Sequence, residues 1–170
     1  MNQPVLVPSL IPRQALLRSL SRLAGFMVLL ISTLVAADEP VAKSRLGGHA
    51  IGHHDTVAYH FLASDPQEDA VKGSKDHIVE YKGAKWNFAS AESAARFAAD
   101  PEKYSPAYNG HCANALSLGE GLIRTDGTHW EIFDNQLYLF YAGRGRDRWL
   151  SVDDISEFKA TADAAWERLR

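Results

Sequence analysis

Two stretches of the chain alternate apolar and polar residues with a period of two, and each folds back at a turn signal. In the first, Val79 and Tyr81 alternate with polar neighbours, Lys82-Gly83 supplies the turn, and Trp86 and Phe88 alternate on the return. In the second, Trp130 and Ile132 alternate, Asp134-Asn135 turns the chain, and Leu137, Leu139 and Tyr141 follow. Helical spacing appears elsewhere. Ser90 can cap a helix over Ala91–Ala99, with Ala94, Phe97 and Ala98 on one face and Asp100-Pro101 ending it. Val152, Ile155, Phe158, Ala162, Ala165, Trp166 and Leu169 recur at three and four residues behind Ser151, which predicts a C-terminal helix over 152–168. Ala113–Leu118 is apolar enough for a packed helical turn or two, and Thr56–Leu62 reads as a strand or a buried turn. Two hairpins among short helices predict an α+β domain: a small antiparallel sheet packed with helices around one core.

The N-terminal pattern is different. Arg13, Arg18 and Arg22 form a basic segment without acids, followed by the apolar run Leu23–Ala37 with small residues before Asp38. That is the layout of a secretory signal peptide, residues 1–37, cleaved near Ala37. The apolar run is shorter than the roughly 20 residues a bilayer span needs, so an uncleaved membrane anchor over 23–37 is the alternative. The expected organisation is therefore a leader, a polar tether over 38–46 and a single domain over 47–170, placed in the periplasm or secreted. Removing the leader takes three of the 18 Lys and Arg and none of the 21 acids, so the net charge moves from −3 to −6. An acidic chain without a basic cluster is a poor nucleic-acid binder. Arg144, Arg146 and Arg148, interrupted by Asp147, read as a solvated face. Asp153 and Asp154 read as acids placed at a helix N-terminus, where they oppose the backbone dipole.

Candidate chemistry centres on the single cysteine, Cys112, in the turn-rich stretch Tyr104–Gly121. One thiol forms no intrachain disulfide; in an oxidising compartment it remains a free thiol, a metal ligand or an intermolecular bridge. At the start of a helix it meets the positive end of the backbone dipoles, which favours thiolate. The bland counterpart is a small buried hydrophobe. His111 directly precedes Cys112, while His53, His54 and Asp55 share a Gly- and His-rich loop with His49. Imidazole, thiolate and carboxylate together suit copper or zinc if the two loops meet in space. Neither loop has a metal-ligand spacing of its own, and His60, His77 and His129 read as ordinary polar residues. Both methionines, Met1 and Met27, fall in the leader, which removes Met-rich copper(I) carriers and blue-copper centres with an axial Met. A Cys-His nucleophile pair, with His53 or His54 as base, is the enzymatic alternative. No organic cofactor is indicated and no catalytic residue is assigned.

Several motifs occur in a fixed order. They are Asp55-Thr-Val-Ala-Tyr59, Val71-Lys-Gly73, Tyr81-Lys-Gly-Ala-Lys-Trp86-Asn-Phe-Ala-Ser90 and Phe97-Ala-Ala-Asp-Pro-Glu-Lys-Tyr104. Pro106, Tyr108, Gly110 and Cys112 follow, then Leu137-Tyr138-Leu139, Trp149, Ala162-Asp163 and Trp166. In this the chain resembles the YHS-domain family, in a longer, exported branch. The resemblance implies an exported envelope protein with a heavy-metal role, as in short metal-binding relatives. Those relatives carry cysteines at positions matching Ala58, Ala89 and Ser93, so their thiol site does not transfer. Two positions that resemble the branch's tyrosines are His54 and His111 here. The expected function is binding or handling of copper or zinc through Cys112, His111, His53, His54 and Asp55, with an envelope protein as a further partner. The alternatives are a metal-free redox or sensor protein using Cys112, or a non-catalytic interaction module.

Overall fold

The computed structural model describes residues 40–62 and 69–170, all within the compact unit Ala37–Arg170. The expected leader and its cleavage point, together with residues 63–68, lie outside the described residues. No described helix is long and apolar enough to cross a membrane.

Both hairpins form where the alternation places them. Strand β1 (Ser74–Tyr81) pairs antiparallel with β2 (Ala84–Phe88), Val79 opposite Trp86. Strand β3 (His129–Phe133) pairs with β4 (Gln136–Phe140), Trp130 opposite Leu139. Each turn holds two consecutive residues at positive φ: Lys82 (48°) and Gly83 (65°), then Asp134 (49°) and Asn135 (62°). Such a pair matches the right-handed twist of the strands and is why Gly and Asn stand there. The hairpins do not join; they are two separate two-stranded sheets.

Helix α1 (Ala91–Ala99) begins at Ser90, whose side chain accepts from Ser93 N. Asp100 caps the short α2 (Pro101–Tyr104) in the same way, with proline at the first position where no N–H is needed. Helix α3 (Ala113–Ser117) starts at Cys112, and α5 (Ser156–Leu169) closes the chain. The expected start at 152 moves to 156 because Asp154, not Ser151, takes the Ser156 N–H, at 2.8 Å. Between β4 and α5 lies α4 (Gly143–Leu150), where the sequence suggested only charged surface. Its two glycines and three arginines conceal the helical period. Gly145 packs closely, since a Cβ there would sit 3.1 Å from Asn114 Cβ. The solvated reading of this run fails for Arg146, which is buried and paired with Glu131 at 2.5 Å while its Nε donates to Trp130 O. Thr56–Leu62 resolves as a turn, not a strand. Within the expected tether, Val41 and Ala42 are buried and Ala42 N donates to Asn109 O at 3.0 Å.

The single expected core is two. One gathers Tyr59, Trp86, Phe88, Phe97, Trp130 and Leu139. The other gathers Tyr108, Leu116, Tyr138, Phe140, Trp149 and Trp166. Strand β4 is the wall between them: Leu137 and Leu139 face the first, Tyr138 and Phe140 the second. A strand buried on both faces reads as a continuous apolar run, which is what Leu-Tyr-Leu-Phe is.

Candidate functional site

Gly110 sets the approach of the Cys112 loop. Its φ is +84°, and a Cβ would lie 2.5 Å from Ile51 Cγ2, so the loop presses directly on the Gly47–Asp55 loop. The residues before it, Tyr108 (φ 56°) and Asn109 (φ 48°), are also left-handed, a rare conformation that the packing around Tyr108 sustains. The Tyr108 hydroxyl donates to Asp163 at 2.9 Å, and burial raises its pKa above the usual tyrosine range. Segment 121–128 then lies along both loops. Cys112 N donates to Ile123 O at 2.8 Å and Thr125 Oγ1 to Gly110 O at 2.7 Å, while Tyr59 OH donates to Gly127 O.

Cys112 is 3% exposed. Its sulfur accepts from Tyr141 N at 3.2 Å and, more weakly, from Ala115 N at 3.5 Å in the first turn of α3. Beside it is a small cavity of about 160 Å³, whose lining includes Glu120, Ile123, Tyr141 and Arg144. The sulfur is therefore neither walled in by hydrocarbon alone nor open to bulk solvent.

The other expected site residues occupy separate settings. The His111 ring lies against Trp166, centroids 5.9 Å apart, and its Nδ1 meets Tyr108 O at 2.9 Å. His54 Nδ1 meets Asp126 O at 2.7 Å and Ile51 O at 3.1 Å. A carbonyl can only accept, so both rings carry their proton on Nδ1 and keep a lone pair on Nε2. Burial lowers the pKa of each and favours the neutral form. His53, at φ 67°, stacks on His49 with centroids 4.3 Å apart; partial burial and the neighbouring His49, Lys72 and Lys75 charges lower its pKa. His49 in turn meets Asn87 Oδ1 at 2.7 Å, a contact between residues 38 positions apart that no local pattern marks. Asp55 is wholly buried and its carboxylate is spent on the backbone: Oδ1 accepts from Val57 N and Ala58 N, Oδ2 from Ala89 N. That staple ties the Thr56–Leu62 turn to the end of β2. Among the described residues, no group of three or more His, Cys, Asp or Glu side chains is arranged to hold a metal ion. The loops meet, but through backbone and Gly110, with segment 121–128 bonded to each.

Residues 64–108 match the family model of the YHS domain, the family the motifs resemble. The match spans both strands of the first hairpin, α1 and α2, and ends before Cys112. No curated protein and no solved structure matches the chain.

Proposed function

We propose that this protein is an exported YHS-type module that works through the Cys112 thiol in a redox or sensing role. The observation that carries the reading is the sulfur's setting: two backbone N–H groups directed at Sγ beside a cavity large enough for a small reagent. N–H groups so placed can hydrogen-bond an oxygen added to the sulfur. The test is alkylation of the folded full chain by iodoacetamide, followed by mass spectrometry. The expected result is modification of Cys112 in the native state and formation of the sulfenic acid with hydrogen peroxide. Labelling that appears only after denaturation would sink the reading.

A second reading, a copper or zinc ion bound through Cys112 and His111, is favoured by one observation. Holding Nδ1–H on a backbone carbonyl and offering Nε2 is how ligating histidines are commonly oriented, and His54 and His111 are both held so. Its test is titration with zinc or copper(I). Binding by Cys112→Ser as tight as by the native chain rules that site out.

A further inference from the structure

The fold assembles a basic face that no linear run of the sequence shows. Lys43 and Arg45 lie on the loop leading into Gly47-Gly48, Lys82 and Lys85 on the first hairpin, and Arg124 on segment 121–128. Three contacts bring these stretches together. Lys43 Nζ donates to Gly83 O at 2.6 Å, Arg124 Nη1 donates to Lys43 O at 3.3 Å, and His49 pairs with Lys85 of β2. An open cleft of about 430 Å³ lies between Gly47-Gly48 and the hairpin turn, with Lys82 and Lys85 in its lining. The acids at this face are Glu80, in the same lining, and Glu102, which accepts from the Tyr81 hydroxyl and lies 3.6 Å from Lys82. The Arg45 and Lys85 side chains make no hydrogen bond or ion pair among the described residues. The acidic surplus of the chain is concentrated beyond α1, where Asp134, Asp147, Asp153, Asp154 and Glu157 follow.

A second observation is apolar. Leu46 is 89% exposed, the highest value among the large exposed hydrophobics described. It stands on a braced loop: Ser44 Oγ donates to Leu46 O at 2.7 Å and accepts from His49 N at 3.1 Å, while Ser44 N donates to His49 O at 2.8 Å. Gly47 and Gly48, at φ 82° and 69°, turn the chain directly after it. The loop therefore presents a leucine beside Lys43 and Arg45. Cations around an exposed apolar side chain suit an anionic lipid surface, where the charges meet headgroups and the apolar group enters the acyl boundary.

We propose that this face docks the protein reversibly on an anionic membrane surface. Arg45 and Lys85, whose charges are unspent, meet lipid phosphates at the cleft, Lys43, Lys82 and Arg124 add to the positive field, and Leu46 enters the boundary between headgroups and acyl chains. Charge sets the orientation as well as the partner, since the acidic remainder of the chain is repelled by the same surface. A soluble polyanion would use the cations but leave Leu46 in water. The Cys112 cavity is lined by other residues, so docking does not depend on what the thiol does.

The test is co-sedimentation of the chain from Asp38 onward, which contains both cores and every described bond, with vesicles of phosphatidylcholine alone or mixed with phosphatidylglycerol. Leaving out Leu23–Ala37 keeps that apolar run from binding lipid itself. Binding to the mixed vesicles is expected to be at least about tenfold tighter and to weaken as salt is raised. Each cation near an anionic surface strengthens attachment about fivefold, so the Arg45→Gln, Lys85→Gln double variant, which breaks no described side-chain bond, should bind about twentyfold more weakly. The native tryptophans Trp86, Trp130, Trp149 and Trp166 are all buried, so Leu46→Trp should report insertion as a blue shift of its emission on the mixed vesicles. Equal affinity for both vesicles, unchanged binding in the double variant, no emission shift, or displacement by inorganic phosphate at matched ionic strength would each overturn the proposal.

Discussion

The half of the domain packed around Phe97 and the half packed around Trp149 solve the same packing problem with different polar chemistry. Both are aromatic, and both rest on β4. In the first, the buried charge of Asp55 is answered by three backbone N–H groups of its own neighbourhood. In the second, the buried charges answer each other, Arg146 to Glu131, beside a thiol and an indole N–H without a partner. The family match covers much of the first half and none of the second's distinctive groups. The lesson is that the two halves bury charge differently, while each keeps polar atoms without a partner: Thr56 Oγ1 and His60 Nε2 in the first, the Trp149 indole in the second.

The largest expected effect tests whether the halves are one folding unit. Phe97→Ala and Trp149→Ala should each cost about 3–5 kcal/mol, the usual loss for deleting a buried large aromatic. Because β4 serves both cores, each variant should still unfold in a single urea transition by circular dichroism and by tryptophan fluorescence. Two separated transitions would divide the molecule at β4.

A smaller effect compares the two ways of burying charge. Asp55→Asn replaces an oxygen by an NH₂ that cannot accept from Ala89 N, or from the paired N–H groups if it is turned over. Glu131→Gln weakens the bond to Arg146 but keeps a carbonyl acceptor. Each should cost about 1–3 kcal/mol by urea denaturation, the scale of losing a hydrogen bond to a charged group. If Glu131→Gln costs nothing, the ion pair serves specificity and not stability, as buried pairs sometimes do.

The smallest effect is on pH dependence, and the two halves should share it. Burial lowers the pKa of His54 in one half and His111 in the other from the ordinary value of 6.5. The unfolded chain therefore takes up protons first as pH falls. Their contribution to stability is complete above about 6.5 and is lost as pH drops from there toward the lowered folded values. The melting temperature should decline between neutral and mildly acidic pH, and His54→Gln or His111→Gln should each flatten that decline. A melting temperature unchanged across this range would mean that neither ring stays neutral in the folded state.

Much of the fold could be read in advance because it is governed by local rules. Alternation around Lys82-Gly83 and Asp134-Asn135 fixes both hairpins, and Ser90 with Asp100-Pro101 brackets α1, since turn and cap chemistry involves residues only a few positions apart. Helix α4 is hidden in the local pattern because Gly145 packs closely on Asn114, more than thirty residues away in sequence. The candidate site was legible in part: Cys112 as a helix-capping thiol follows from its own neighbours, whereas the settings of His54, His111 and Asp55 depend on carbonyls and N–H groups supplied from afar.

The sequence by itself determined which residues could carry chemistry and which short segments would turn, pair or coil, because those preferences are set by side-chain shape and period. Only the tertiary structure decided which of those groups still have capacity to act. Asp55 meets the backbone of Ala89, His54 meets Asp126, and segment 121–128 is bonded to both loops, all through long-range hydrogen bonds that leave no trace in local pattern. Whether a donor is spent or spare depends on what distant chain is folded against it, and in this protein that leaves one sulfur beside a small cavity.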